Sequence, residues 1–244
     1  MRPLRTLRFA LAAASLIATA AFASPADPKN GAEYLTLTQP QPVQAVGNKV
    51  EVVEFFMYHC PACYAVEPFF ADWVKKNADK ITVRRVHMPS TGPNDPEAHL
   101  YVTLEAMGKA DLMHEKVFRG AHVERVRMNT DAAIIDWVSK NGIDRAKFLD
   151  AWNSFGVMTK LKRLGPTLAA YRVEGTPTFV VDGRYLTSPS AIAEANPGMP
   201  RSELFKSATA VLDALVAKVQ KEKAAKPVAA AADAAPAKPA KTAK

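Results

Sequence analysis

Two cysteines, Cys60 and Cys63, are the residues of this chain whose type and spacing indicate chemistry, and no other cysteine occurs among its 244 residues. A Cys-x-x-Cys pair suits reversible thiol–disulfide exchange. As a structural disulfide it would be weak, because closing a loop of ~4 residues stabilises the folded state by roughly 2 kcal/mol, against ~3 kcal/mol for a 15-residue loop. As a metal site it supplies two of four tetrahedral ligands, with His59 available as a third. A redox pair is therefore favoured over an inert bridge or a metal site.

A strand followed by a helix is predicted to position this pair. Residues 50–58 form a short apolar run of strand-forming residues around Glu54, and residues 65–77 repeat apolar side chains at helical spacing. The cysteines thus lie where a helix begins, and there free backbone N–H groups and the helix dipole stabilise a thiolate. A second strand at 81–86 completes a βαβ unit with parallel strands and a right-handed crossover.

The rest of the chain reads as a helical block followed by a hairpin. An edge strand is predicted at 34–38, and Asp182-Gly183 between 178–181 and 184–186 predicts a type I′ turn. Thr130 and Asp144 are candidate N-caps, and Gly108 and Gly142 are candidate helix ends. Helices are predicted at 96–107, 110–122, 130–141, 144–155, 157–172 and 203–220.

The charge and the two ends of the chain indicate an exported protein. Residues 1–23 combine Arg2, Arg5 and Arg8 with a short apolar stretch and a small-residue site, which predicts a cleaved signal peptide. A membrane anchor is the weaker interpretation, because spanning requires ~20 apolar residues. The net charge of +8 includes three charges from this segment and four from residues 221–244, which leaves +1 for residues 24–220. A nucleic-acid partner is therefore not expected.

The composition also divides the chain into segments. Residues 24–90 and 166–220 are predicted to form one α/β domain, which residues 91–165 interrupt as an inserted all-helical domain. Residues 221–244 consist mainly of Ala, Lys and Pro, a composition that predicts a disordered tail.

Three stretches make the chain resemble the DsbA family of bacterial periplasmic thiol:disulfide oxidoreductases, within the thioredoxin superfamily. They are EFFMYHCPACYAVE at 54–67, AWNSFGV at 151–157 and VEGTPTFVVDGRY at 173–185, and the order of elements fits from about residue 32 to 218. The resemblance implies a thioredoxin fold, a mixed central sheet flanked by helices, with the helical block inserted.

The resemblance also assigns roles to residues. Cys60 would be the exposed nucleophile and Cys63 its buried partner. Thr176-Pro177 would be a cis-proline loop facing them, although most X-Pro bonds are trans and sequence physics alone leaves a trans bond open. His59, Pro61, Ala62, Thr176 and Pro177 would contact the substrate.

Glu54 is predicted to be a buried carboxylate with a raised pKa, which in related proteins influences the buried cysteine. The alternative is a position on the solvent side of an edge strand. Glu67 is interpreted as a helix-surface charge. The histidines other than His59 are expected in helices or loops, and the three tryptophans in the core.

The chain departs from the family pattern at Ala62, where the best-known relatives have histidine. At pH 7, and for pKa values below 7, each pKa unit lost from the attacking thiol stabilises the reduced form by ~1.4 kcal/mol and raises the reduction potential by ~30 mV. Loss of a positive group at position 62 therefore predicts a milder oxidant, unless His59 compensates.

The resemblance predicts a monomeric periplasmic dithiol oxidase with no cofactor beyond its own disulfide. Its partners would be unfolded exported proteins and a DsbB-type membrane oxidase. An isomerase or reductase of the same fold is one alternative, and a copper-binding chaperone that uses Cys60, Cys63 and His59 is another.

Overall fold

A five-stranded mixed sheet forms the centre of this computed structural model, which describes residues 24–225. The strands are β1 (Tyr34–Thr36), β2 (Val50–Phe56), β3 (Ile81–His87), β4 (Thr178–Val181) and β5 (Tyr185–Thr187). Their order across the sheet is β1-β5-β4-β2-β3, in which β2 runs parallel to β3 and antiparallel to β4. The predicted βαβ unit and the thioredoxin-type α/β architecture are thus confirmed.

All seven residues of β2 are buried, which explains why its sequence is almost continuously apolar. Val50 and Val52 belong to a core cluster with residues of the first and last helices, whereas Val53 and Phe55 belong to a second cluster with residues of the helical block. The strand therefore contributes to both cores of the molecule. The three tryptophans are buried as predicted.

Eight helices accompany the sheet within residues 24–225. They are α1 (Pro61–Lys76), α2 (Pro96–Ala106), α3 (Ala110–His122), α4 (Asp131–Lys140), α5 (Arg145–Trp152), α6 (Phe155–Tyr171), α7 (Pro189–Ala195) and α8 (Arg201–Ala225). Thr130 and Asp144 accept the predicted capping hydrogen bonds from Ala133 and Lys147 N–H. Gly108 and Gly142 adopt the positive φ expected of helix-ending glycines. No helix in this part of the chain is long and apolar enough to cross a membrane.

The hairpin between β4 and β5 has the predicted turn. Asp182 and Gly183 have φ angles of 53° and 63°, as a type I′ turn requires at both central positions. A β-carbon on Gly183 would also collide with the carbonyl oxygen of Gln41. Glycine is therefore required there by both the backbone angle and the space.

Some boundaries differ from the sequence-based prediction. α1 begins at Pro61 rather than residue 65, because proline fits the first helical position. α7 was not predicted, and the predicted domain boundary at 165/166 falls inside α6. The signal segment, residues 1–23, lies outside the described residues, as do residues 226–244 of the tail.

The prediction of disorder was wrong for residues 221–225, which extend α8. Contacts with the β4–β5 hairpin explain the extension. Glu222 accepts a hydrogen bond from the Tyr185 hydroxyl at 2.8 Å and pairs with Arg184, and Lys223 Nζ lies 3.0 Å from Asp182 Oδ1.

Candidate active site

The two cysteines lie at the junction of β2 and α1. Cys60 is the N-cap of α1, and its Sγ accepts a hydrogen bond from the Cys63 N–H at 3.3 Å. Pro61 occupies the first helical position, where a missing N–H costs nothing. Both cysteines are free thiols in this structure. The helix start therefore directs backbone donors at the Cys60 sulfur.

The two thiols have opposite acidities. A hydrogen bond from Cys63 is the largest effect on Cys60, and with Thr176 and the N–H groups of Cys63 and Ala62 it outweighs burial and lowers the Cys60 pKa to about 5. Burial, followed by the hydrogen bond with Cys60, raises the pKa of Cys63 well above its ordinary value. At pH 7 Cys60 is thus a thiolate and Cys63 a thiol.

Cys60 is less accessible than the resemblance implied. Its residue exposure is 7%, against 0% for Cys63. Cys60 is the more accessible of the two, but the description "exposed" was wrong. One cause is the loop before β4, whose Thr176 carbonyl oxygen lies 3.5 Å from Cys60 Sγ.

That loop contains the cis bond between Thr176 and Pro177. The trans alternative is therefore wrong. Residues of the loop line a groove of about 540 Å³ together with Leu35 of β1 and Leu186 of β5. Leu35 is 53% exposed. An open groove of mixed polarity, with Arg172 and Glu174 as well as the two leucines in its lining, thus adjoins the loop that contacts the Cys60 sulfur.

Glu54 is fully buried in β2, so the solvent-facing alternative is wrong. Its Oε2 accepts a hydrogen bond from Arg85 Nε at 2.9 Å, and its Oε1 has no partner among the described residues. Burial, and then the charge of Glu67, outweigh Arg85 and raise the Glu54 pKa to about 7. The predicted burial and direction of the pKa shift are confirmed. The described hydrogen bonds do not join Glu54 to either cysteine.

The prediction that Glu67 is a helix-surface charge was wrong, and the sequence did not indicate that His114 lies beside it. Glu67 is not a surface charge: its side chain is 13% exposed, Arg85 Nη2 lies 3.4 Å from its Oε1, and burial raises its pKa to about 7. His114 of α3 places its Nε2 3.5 Å from Glu67 Oε2, and burial lowers its pKa to about 3. Nothing in the local sequence indicated that α3 covers this face of α1.

Glu54, Glu67 and His114 each offer one ligand atom, and these atoms lie within 4.8 Å of one another. Arg85 already binds one oxygen of each carboxylate, so it offsets one of the two negative charges. With pKa values of about 7, both carboxylates can take up or release a proton near neutral pH. The arrangement is therefore suited to exchanging protons.

His59 directly precedes Cys60 in the sequence, and its ring binds Glu97. Its Nδ1 lies 2.6 Å from Glu97 Oε2, and its N–H donates to the same oxygen at 3.3 Å. The hydrogen bond with Glu97 is the main cause that raises the His59 pKa. Within residues 24–225, His59, Cys60 and Cys63 do not converge as a set of metal ligands. Pro61 is exposed, and Ala62 is partly exposed and brings no polar side chain.

Comparison with known proteins identifies similar sequences and folds. A family model described as "DSBA-like thioredoxin domain" matches residues 94–210. The thiol:disulfide interchange protein DsbA of Bordetella parapertussis is 40% identical over 179 residues, which cover 73% of this chain and 85% of that protein. The protein of the same name from Burkholderia cepacia is 36% identical over 208 residues, 85% of this chain and 93% of its own length.

A solved structure gives the same result. The crystal structure of Pseudomonas aeruginosa DsbA matches with a TM-score of 0.66 and 32% identity, and the match covers 80% of this chain and 95% of that one. Both the sequence and the fold of this chain are thus similar to those of proteins named DsbA.

Proposed function

Because the chain belongs to the DsbA family and is a disulfide oxidoreductase, we propose that it donates the Cys60–Cys63 disulfide to reduced, newly exported proteins. The observation that carries this direction is the unequal acidity of the two thiols. A Cys60 pKa of about 5 stabilises the reduced protein at neutral pH. A reduced form stabilised in this way makes the disulfide an oxidant.

The reaction begins when a substrate thiolate attacks Cys60 Sγ in the oxidised protein. A substrate–Cys60 disulfide forms, the Cys60–Cys63 bond breaks, and Cys63 leaves with the electron pair. Because the Cys63 pKa is raised, this sulfur takes up a proton. Cys60 is the attacked sulfur because it is the more accessible of the pair and adjoins the Thr176-Pro177 loop.

A second substrate thiolate then attacks the substrate sulfur of the mixed disulfide. The substrate disulfide forms, and Cys60 leaves as a thiolate that needs no proton at pH 7. Two electrons have passed to the protein. Of the two protons lost by the substrate thiols, Cys63 retains one and the solvent takes the other.

Glu54 is proposed to supply the proton that Cys63 takes up, through an indirect path. Its burial, its unpartnered Oε1 and its pKa of about 7 support this role, since such a carboxyl group is partly protonated at neutral pH.

The substrate is proposed to lie across His59, Pro61, Ala62, Thr176 and Pro177. The groove lined by Thr176 and Pro177 supports this placement, since Leu35 and Leu186 offer apolar contacts and Thr178 and Ser188 offer polar ones. Contacts of this kind tolerate many sequences, as an oxidase for unfolded proteins requires.

The reduced pair must pass its two electrons onward, and a DsbB-type membrane partner is the proposed acceptor. We place the reaction in the periplasm, on the strength of the predicted signal segment, and expect a monomer without a further cofactor.

Trapping of mixed disulfides in cells tests this function. In a Cys63→Ala variant of the full chain, the Cys60 thiolate can attack a disulfide of an exported protein, and one substrate sulfur leaves as a thiolate while the other stays bound to Cys60. These mixed disulfides are expected to accumulate, because Cys63 is no longer there to attack the Cys60 sulfur and release the substrate. Cys60→Ala is the matched control and should trap none. Recovery of no exported protein with Cys63→Ala, or of equal amounts with both variants, would contradict the proposal.

A further inference from the structure

The side chains on either side of the nucleophile differ in polarity. Ala62, between the two cysteines, brings no polar side chain, whereas His59 directly precedes Cys60 and carries an imidazole that is 48% exposed. A charged imidazole beside a sulfur stabilises its thiolate. The state of the His59 ring therefore matters to Cys60.

Glu97 fixes both the position and the charge of that ring. One carboxylate oxygen, Oε2, lies 2.6 Å from His59 Nδ1 and accepts the His59 main-chain N–H at 3.3 Å. The Glu97 side chain is only 12% exposed. Because Glu97 lies in the first turn of α2, the helix dipole also stabilises its negative charge. A carboxylate removed from water in this way requires a cation.

His59 is the cation that the surrounding groups leave available. His87 Nε2, 3.9 Å from the same oxygen, already accepts the Tyr58 N–H, and burial lowers the His87 pKa to about 3. Asp95 is bound by Ser90, Thr91 and Ala98. A second groove, of about 660 Å³, lies beside His59 and Glu97, and its lining includes His122, Arg125 and Arg127 from α3 and the segment after it. The described contacts do not join any of these three to Glu97.

We propose that Glu97 is a positioning residue, which holds His59 as an imidazolium beside Cys60 and so strengthens this protein as a thiol oxidant. The inference rests on the proposed function. It assigns the positive charge to His59, the residue that precedes the nucleophile in the sequence. The charge that Ala62 does not supply is supplied by the clamped pair of His59 and Glu97.

Any electrostatic influence between His59 and Cys60 must be mutual. The Glu97 hydrogen bond is the largest cause that raises the His59 pKa, and the Cys60 charge adds to it. By linkage, an imidazolium that the thiolate stabilises must stabilise the thiolate equally. This equality gives a measurement that a purely structural histidine would not satisfy.

The test is an NMR titration of the His59 ring in the full-length protein, reduced and oxidised. We expect a higher His59 pKa in the reduced form by about 0.5–1 unit, a three- to tenfold change, since only that form carries the thiolate. Equal His59 pKa values in the two redox states would overturn the inference.

Variants supply the second readout. His59→Gln keeps an N–H donor for Glu97 but no charge. It should raise the Cys60 pKa by the same amount. The equilibrium constant for the oxidation of glutathione by the protein should fall three- to tenfold. His59→Lys restores the charge and should recover most of the loss. Glu97→Gln should lower the His59 pKa. An unchanged Cys60 pKa in His59→Gln would overturn the inference.

These outcomes are distinct from failure of the proposed function. If wild-type protein does not oxidise a reduced, unfolded substrate, the function itself is wrong. If the wild-type protein oxidises the substrate but the His59 pKa is the same in the reduced and oxidised protein, only the role proposed for Glu97 and His59 is wrong.

Discussion

The low pKa of Cys60 predicts how the stability of the reduced protein depends on pH. The ordinary pKa of 9.0 falls to about 5 in the folded protein. An acid whose folded pKa is depressed contributes stability that is full above its unfolded pKa and is lost as pH falls through the folded one. The contribution should therefore be full above pH 9, decline as pH falls from 9 toward 5, and be absent below pH 5.

At pH 7 the thiolate lies two pH units above its folded pKa, which corresponds to at most ~2.7 kcal/mol. Screening by solvent at this partly accessible site reduces the figure to about 2 kcal/mol. The perturbation that isolates it is Cys60→Ser, which keeps an N-cap oxygen but cannot form a thiolate.

Urea unfolding of the reduced wild type and of Cys60→Ser from pH 4 to 8 measures the contribution. Wild type should gain about 2 kcal/mol over the variant between pH 4 and pH 7. The titrations of Glu54 and Glu67 occur in both proteins and cancel in the difference. A difference that stays constant over this range would refute the reasoning.

Three further predictions follow from single contacts. Arg85→Met should lower the free energy of unfolding by about 3–5 kcal/mol at pH 8 in urea melts, because Glu54 and Glu67 lose their shared cation. The loss should shrink at pH 5 as the carboxyl groups take up protons, and a loss independent of pH would count against the buried cluster. Gly183→Ala should cost more than the ~1–2 kcal/mol of a left-handed residue in thermal unfolding, since its β-carbon meets Gln41, whereas Gly156→Ala in the first turn of α6 has open space and should be stabilising. Ala62→His should lower the Cys60 pKa, read from thiolate absorbance, because it adds a positive group near the sulfur; an unchanged or higher value would show that position 62 does not act on Cys60.

Local patterns made much of the fold predictable. The buried strand, the hairpin turn at Asp182-Gly183 and the helical block each have a signature within a few residues, and the structure contains all three. Glu54 could be placed inside because the residues around it are apolar.

Features that depend on distant contacts could not be predicted in the same way. The burial of Glu67 depends on α3, and the low accessibility of Cys60 depends on Thr176, 116 residues away. The end of α8 depends on ion pairs with the β4–β5 hairpin. Glu97, whose carboxylate binds the His59 ring, is likewise 38 positions away from His59 in sequence. Such pairings arise from the packing of elements and leave no local signal.

The equilibrium between this protein and glutathione tests the central claim most directly. A Cys60 pKa of about 5 lies ~2 units below the value near 7 of thioredoxin, whose potential is about −270 mV, and ~30 mV per unit predicts a potential of about −210 mV. A potential in this range at pH 7, with full oxidation of a reduced substrate protein, is the predicted result. A potential at or below about −270 mV would contradict the assignment of a disulfide donor.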